Sequence, residues 1–213
     1  MVITLSDWYR DQMSDLTNYF LNNTLNLEGS EPLPYSALIN DAQNVKLPVL
    51  PGKTYFLRII NFSAFSQMYL HFDQHKMTII EIDGIYIHPR EVSVLYLAVG
   101  QRYGVLLKTK TCTNKNYAVQ GRLDETMFDS FGDPKTYPAV IIPTVAAYLI
   151  YDDQNPLPPP LNCSLSSLAA DIIDDFSLIP YDNEPLLRNP AKKFVLDLEV
   201  FVQDGQNRSG FRD

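Results

Sequence analysis

An all-β Greek-key sandwich is the fold class this sequence predicts, on three observations. Short β-type runs separated by turn chemistry dominate the first 150 residues. The dipeptide Asp83-Gly84 joins two such runs, the strongest short-range signal for a tight hairpin. The spacing of the runs suits two packed sheets.

The elements follow in order. Ile3 to Leu5 is a strand, and a helix is expected from Asp11 to Leu21, where Met13, Leu16 and Phe20 recur as one apolar stripe. Thr54 to Asn61 alternates, with Tyr55, Leu57 and Ile59 on one face. Met77 to Ile82 passes through Asp83-Gly84 into Ile85 to Ile87; Val92 to Val99, Arg102 to Thr109, Tyr117 to Leu123 and Ala146 to Tyr151 complete the set. The link Asn155-Pro-Leu-Pro-Pro-Pro-Leu161 is a stiff spacer that ends the sandwich.

Ser164 then caps a second helix, with Leu165, Leu168, Ala169, Ile172 and Phe176 on one side and Asp171, Asp174 and Asp175 on the other. From Lys193 to Phe201, Phe194, Leu196, Leu198 and Val200 alternate as in a half-buried strand without a following partner, and 202–213 is expected to be an exposed or disordered tail. The chain thus divides into a sandwich domain over 1–152, a Pro-rich linker with an acidic amphipathic helix over 153–189, and the truncated start of a further domain over 190–213.

Seventeen basic against 25 acidic residues give a net charge of −8, which argues against nucleic acid and favours cations or basic partners. The most apolar window, Ala139 to Tyr151, is cut by Pro143 and too short to cross a bilayer. The first eight residues have no basic segment followed by an apolar one, and the start reads as a truncated strand already under way. Asn-x-Ser/Thr triplets at Asn22, Asn61, Asn162 and Asn207 point to a secretory-pathway origin, on an extracellular or lumenal face, although such triplets also arise by chance. Cys112 and Cys163 permit one disulfide or two free thiols.

Three histidines are present, His71, His75 and His88. His71, Asp73 and His75 share one strand face, because side chains repeat every two residues, and form a tempting metal trio; a hydrogen-bonded histidine in the sheet is the more economical account. His88, before Pro89, reads as a turn residue.

Four segments carry a resemblance: Ser6-Asp7-Trp8-Tyr9, Leu57-Arg58-Ile59-Ile60-Asn61, the run from His75 to Gly84 with Glu81 and Asp83, and Gln101-Arg102-Tyr103. They occur in the order seen in the second domain of fungal multicopper oxidases, the laccases and ferroxidases. The resemblance implies a cupredoxin-like Greek-key β-sandwich with short peripheral helices over about 3–185, and the opening of the third domain over about 190–205. It implies copper in the parent enzyme, with its ligands on first and third domains missing here; neither cysteine is followed by histidine, and no His-x-His pair occurs.

Gly29-Ser30-Glu31-Pro32 and the run from Leu123 to Asp129 look like the segments that mark iron-transport members, so the resemblance implies that Glu31 and Asp129 dock iron(II). Carboxylates bind Fe(III) more strongly than Fe(II), so such a site favours electron loss. Without the family, Glu31 is a solvated turn residue and Asp129 caps a loop. Asp124 and Glu125 are weaker candidates that guide iron by their field.

An acidic stretch in the iron-transport members is thought to hand Fe(III) to an iron permease, which assigns partner docking to Asp171, Asp174 and Asp175; Ala170 departs from it. Three readings follow: a ferroxidase fragment, inactive alone for want of a type 1 copper; a non-catalytic module docking to a permease; or the central domain of a laccase acting on organic substrates. Surfaces meant for neighbouring domains should leave apolar patches and promote aggregation.

Overall fold

The computed structural model describes residues 1–26, 29–128, 141–184 and 192–212. In chain order the strands are β1 (Val2–Trp8), β2 (Ser36–Ile39), β3 (Val45–Pro48), β4 (Thr54–Asn61), β5 (Met68–Phe72) and β6 (Met77–Ile82). Then come β7 (Ile85–Val92), β8 (Val94–Leu97), β9 (Arg102–Lys108), β10 (Tyr117–Leu123) and β11 (Thr144–Ile150). They form a six-stranded sheet, β2-β1-β4-β9-β6-β7, and a five-stranded sheet, β3-β11-β10-β5-β8. Pairs are antiparallel except β1 with β4 and β3 with β11. The expected sandwich is the observed one.

Alternation decides its packing. In β4, Leu57, Ile59 and Asn61 are buried while Arg58 is exposed. One sheet contributes Ile3, Leu5 and Ile59 to the core and the other Leu70, Phe72 and Val119. Each such side chain stabilises the fold by about 1.5–3 kcal/mol. Asp83 and Gly84 take φ of 50° and 88°, the left-handed pair that a two-residue hairpin requires.

Strands β2 and β3 were not foreseen, and β5 was expected only as the strand assumed under His71, Asp73 and His75. Four or five residues are too few for a period to stand out, and the corner between β2 and β3 is turned by Asn40, Asp41 and Asn44, all at positive φ. His88 lies inside β7 rather than in a turn. Pro89 is tolerated there because β7 is an edge strand.

The acidic amphipathic helix is not formed. Ser164 does cap a helix, accepting from the Ser167 amide at 3.1 Å, but α2 spans only Leu165–Ala169. Leu168 is buried against Tyr69 and Val94, and the chain then turns. Asp174 accepts from the Phe176 amide at 3.0 Å and starts a single 3-10 turn, Asp175–Ser177. This local bond competes with helix continuation. Ile173 and Leu178 pack on the main core, whereas Phe176, expected inside, is 99% exposed.

Beyond that turn the chain lies along the open edge of β7. His88 donates its backbone N–H to Ile179 O at 2.9 Å, and Tyr181 donates to Tyr86 O at 2.9 Å. The strap so formed covers part of a sheet edge that would otherwise pair with other chains.

The lone strand also has a partner. β12 (Asp197–Gln203) pairs antiparallel with β13 (Gln206–Arg212). Asp204 and Gly205 turn the hairpin at φ of 53° and 74°, the same chemistry as Asp83-Gly84. The segment is thus a hairpin strand and not a loose tail, on a turn signal present in the sequence, while residues 202–205 and 208 are exposed as expected.

Candidate functional site

β1 leaves its sheet at Trp8, and after four residues helix α1 (Met13–Leu21) begins. Leu16 is buried and Phe20 half-buried, but Met13 is exposed, so the expected stripe seats only its lower part. Tyr9, Met13, Leu16, Thr17 and Phe20 wall a cavity of about 180 Å³, closed by Glu31, Pro32, Ala64 and Phe65. Glu31 is solvent-exposed, so its carboxylate remains hydrated at the rim.

Two residues outside the candidate set shape this cavity. Asn26, buried, donates through Nδ2 to Phe20 O at 3.2 Å and Ser30 O at 3.0 Å, and its Oδ1 accepts from the Ser30 amide at 3.0 Å. It thereby ties Ser30, the residue before Glu31, to the end of helix α1. Asp7 accepts from the backbone amides of Ala64, Phe65 and Ser66. Neither role is visible in sequence, because both depend on which backbone groups come to lie opposite the side chain. The Tyr9 phenol is pushed well above its ordinary value of 10.0, first by burial and then by the charge of Asp7 and a hydrogen bond to it, so it stays protonated.

On the far side of the cavity wall, Phe65 stacks on Phe128 with ring centroids 6.1 Å apart and planes at 18°. Phe128 is the last described residue before Asp129, which itself lies outside the described residues. Asp124 is buried, and its carboxylate accepts from the Thr126 amide at 3.0 Å, the Thr126 hydroxyl at 2.6 Å and the Tyr96 hydroxyl at 2.5 Å. A carboxylate so occupied acts on a cation through its field rather than by ligation. Glu125 pairs with Arg122.

The acidic trio is dispersed. Asp171 and Asp174 are exposed. Asp175 turns inward, accepting from the Tyr103 hydroxyl at 2.5 Å and Gln101 Nε2 at 2.8 Å. These two partners belong to the Gln101-Arg102-Tyr103 segment, whose third member, Arg102, meets Asp83 at 3.3 Å.

The histidine trio does not share a face. β5 ends at Phe72, and Gln74 at φ 55° bends the chain, so His75 sits in the following turn. His75 Nδ1 lies 2.7 Å from Asp73 O and Nε2 lies 2.7 Å from the Tyr151 hydroxyl. Burial lowers its pKa from 6.5. His71 Nδ1 bonds Ser93 O at 3.0 Å, and His88 Nε2 meets Asn183 Oδ1 at 3.3 Å. Among the described residues no group of three or more His, Cys, Asp or Glu side chains could hold a metal ion.

Both cysteines are free thiols, Cys112 exposed and Cys163 partly buried. The Asn61 amide is fully buried, donating to Ser66 O at 3.2 Å and Leu97 O at 3.1 Å. That triplet is a structural hub of the fold and no glycan acceptor. Asn162 is exposed.

The multicopper oxidase family model matches residues 1–148. Over 214 aligned residues the chain is 38% identical to the iron transport multicopper oxidase FET3 of Gibberella zeae, covering 100% of itself and 33% of that protein. It is 34% identical over 212 residues to the protein of that name from Saccharomyces cerevisiae, covering 99% of itself and 32% of the relative. The crystal structure of Fet3p, described as a multicopper oxidase that functions in iron import, superposes with a TM-score of 0.88 at 33% identity, covering 99% of this chain and 38% of that one. The laccase of Botrytis aclada superposes at 0.71 and 20% identity over 99% of this chain and 39% of its own, a likeness of fold alone. The chain spans about a third of the length of the curated relatives it matches.

Proposed function

The chain belongs to the multicopper oxidase family, and from that premise we propose that it is the central domain of an iron(II)-oxidising member and carries part of the iron-docking site. The observation that carries this reading is the cavity beside Glu31, whose wall residue Phe65 stacks on Phe128, the residue before Asp129. Glu31 and Asp129 together hold the ion, and Asp124 adds field. The likeness to proteins named for iron transport supports the substrate. Copper, which accepts the electron, is held by other parts of the whole protein, which works on an extracellular or lumenal face.

By itself the chain is inactive, since the electron leaving iron needs an acceptor in reach. Purified chain supplied with copper should oxidise iron(II) no faster than a metal-free control, and catalytic turnover would refute this. The docking role is tested in a chimera where this chain replaces the matching third of the Gibberella zeae relative. Glu31→Ala should raise KM for iron(II) about tenfold or more, the scale of losing a group at a metal site, and leave oxidation of a phenol unchanged. An unchanged KM for iron(II) would sink the reading and favour an organic substrate.

A second reading rests on the exposed pair Asp171 and Asp174 next to fully exposed Phe176: docking to an iron permease. Co-purification with the permease should fall in Asp171→Ala/Asp174→Ala, and equal recovery counts against it.

A further inference from the structure

We infer that Asp7 is the positioning residue of this cavity, a carboxylate spent on shaping the wall and not on binding the ion. The inference rests on the docking reading and adds to it a residue that neither the acidic motifs nor the fold class singled out.

Asp7 lies in β1, its backbone paired in register with Ala37 of β2, so its starting point is rigid. Its Oδ1 accepts from the Ala64 amide at 2.8 Å, and its Oδ2 accepts from Phe65 at 2.9 Å and Ser66 at 3.0 Å. Three successive backbone N–H groups converging on one anion form a nest, and charge-assisted bonds of this kind are about twice as strong as neutral ones. From β4, Asn61 holds the same loop: its Oδ1 accepts from the Ser63 amide at 2.9 Å and its Nδ2 donates to Ser66 O. The loop between β4 and β5 is therefore clamped from two neighbouring strands.

What the clamp holds is the cavity. Ala64 and Phe65 face the same space as Glu31, and Phe65 is the ring on which Phe128 stacks. Asp7 therefore acts through one loop on the cavity that Glu31 lines and on Phe128, without lining that cavity itself. Asparagine cannot replace it: an amide presents one oxygen, and its NH2 group would oppose a backbone donor.

Trp8, the only tryptophan of the chain, is exposed and lines an adjoining space with Ala64 and Phe62, which makes it a reporter for the loop. The experiment is an anaerobic titration of the chain with iron(II), followed by Trp8 fluorescence, with hydrogen exchange of the Ala64, Phe65 and Ser66 amides. Asp7→Asn should weaken binding roughly tenfold to a hundredfold, the scale seen when a group that orients metal ligands is lost, and expose the three amides. Phe65→Leu should weaken binding while those amides stay protected, and Phe65→Tyr, which keeps the ring, should restore it.

Binding at wild-type strength in Asp7→Asn with exposed amides, or in Phe65→Leu, would overturn the positioning role. If Asp7→Asn does not fold, the Phe65 pair decides. Glu31→Gln, with its loop amides protected, tests the docking reading separately: wild-type binding there removes that reading and this inference with it, whereas lost binding there beside unaffected Asp7 and Phe65 variants removes the inference alone.

Discussion

The sandwich and the strap that follows it use the same residue types in opposite ways. In the sandwich Phe72 is fully buried and the charged Arg58 points out; in the strap Asp175 turns in to Tyr103 and Gln101 while Phe176 stands 99% exposed. The sandwich is long and regular enough for a side-chain period to dictate burial. The strap changes direction every few residues, so individual hydrogen bonds decide which side chain faces the protein. Its apolar anchors are Leu168, Ile173 and Leu178, spaced by turns and not by a helix.

Four measurements break or sharpen that contrast. Phe72→Ala should cost about 3–5 kcal/mol in denaturant unfolding, since it deletes a fully buried ring between two sheets. A loss under about 1 kcal/mol would mean that the sheets are not tightly packed there. Asp175→Ala should cost about 1.5–3 kcal/mol, the worth of hydrogen bonds to a charged group, and should act locally: the amides of His88 and Tyr181 exchange faster while those of β4 and β10 do not. Uniform acceleration would show that the strap and the sandwich unfold as one unit.

The third concerns pH. Burial lowers the pKa of His75 from 6.5, so the folded state takes up its proton less readily than the unfolded chain. Its contribution is fully present above the unfolded value and is lost as pH falls below it toward the folded pKa. Wild-type stability should decline with acidification from about pH 6.5, and His75→Phe should remove that part of the slope. Identical slopes would place the titration elsewhere.

The smallest effect is expected at Phe176. Replacement by Ser should change stability by less than about 0.5 kcal/mol, as for surface positions in general, yet reduce binding of a dye that reports exposed apolar surface. Phe194, Val195 and Leu196 are also exposed, so the wild type should bind the dye and associate at high concentration. A sharp monomeric peak without dye binding would contradict this.

Much of the fold was legible. Thr54 to Asn61, Met77 to Ile82 and Tyr117 to Leu123 agree with β4, β6 and β10 residue for residue; alternation marks β4 as a half-buried strand, whereas β10 is buried at every position but Arg122. The pair β12 and β13 was legible too, through the hairpin dipeptide Asp204-Gly205. The candidate site was less so. Glu31 could be nominated only by resemblance, and sequence offers no reason to connect it with Asp7, Asn26 or Phe65.

The sequence by itself determined the sandwich, its hairpin at Asp83-Gly84 and the family, since patterning, turn chemistry and motif order are written along the chain. Only the tertiary structure decided that Asp7 clamps residues 64–66, that Asp175 faces inward, that His75 ends hydrogen-bonded to Tyr151, and that no acidic helix forms. The first three outcomes depend on polar groups 57 to 76 positions apart meeting at hydrogen-bond distance, and the last also on the local bond from the Phe176 amide to Asp174. Such meetings are set by the stacking of sheets and the course of loops, and a carboxylate's neighbours in space leave no period in the sequence around it.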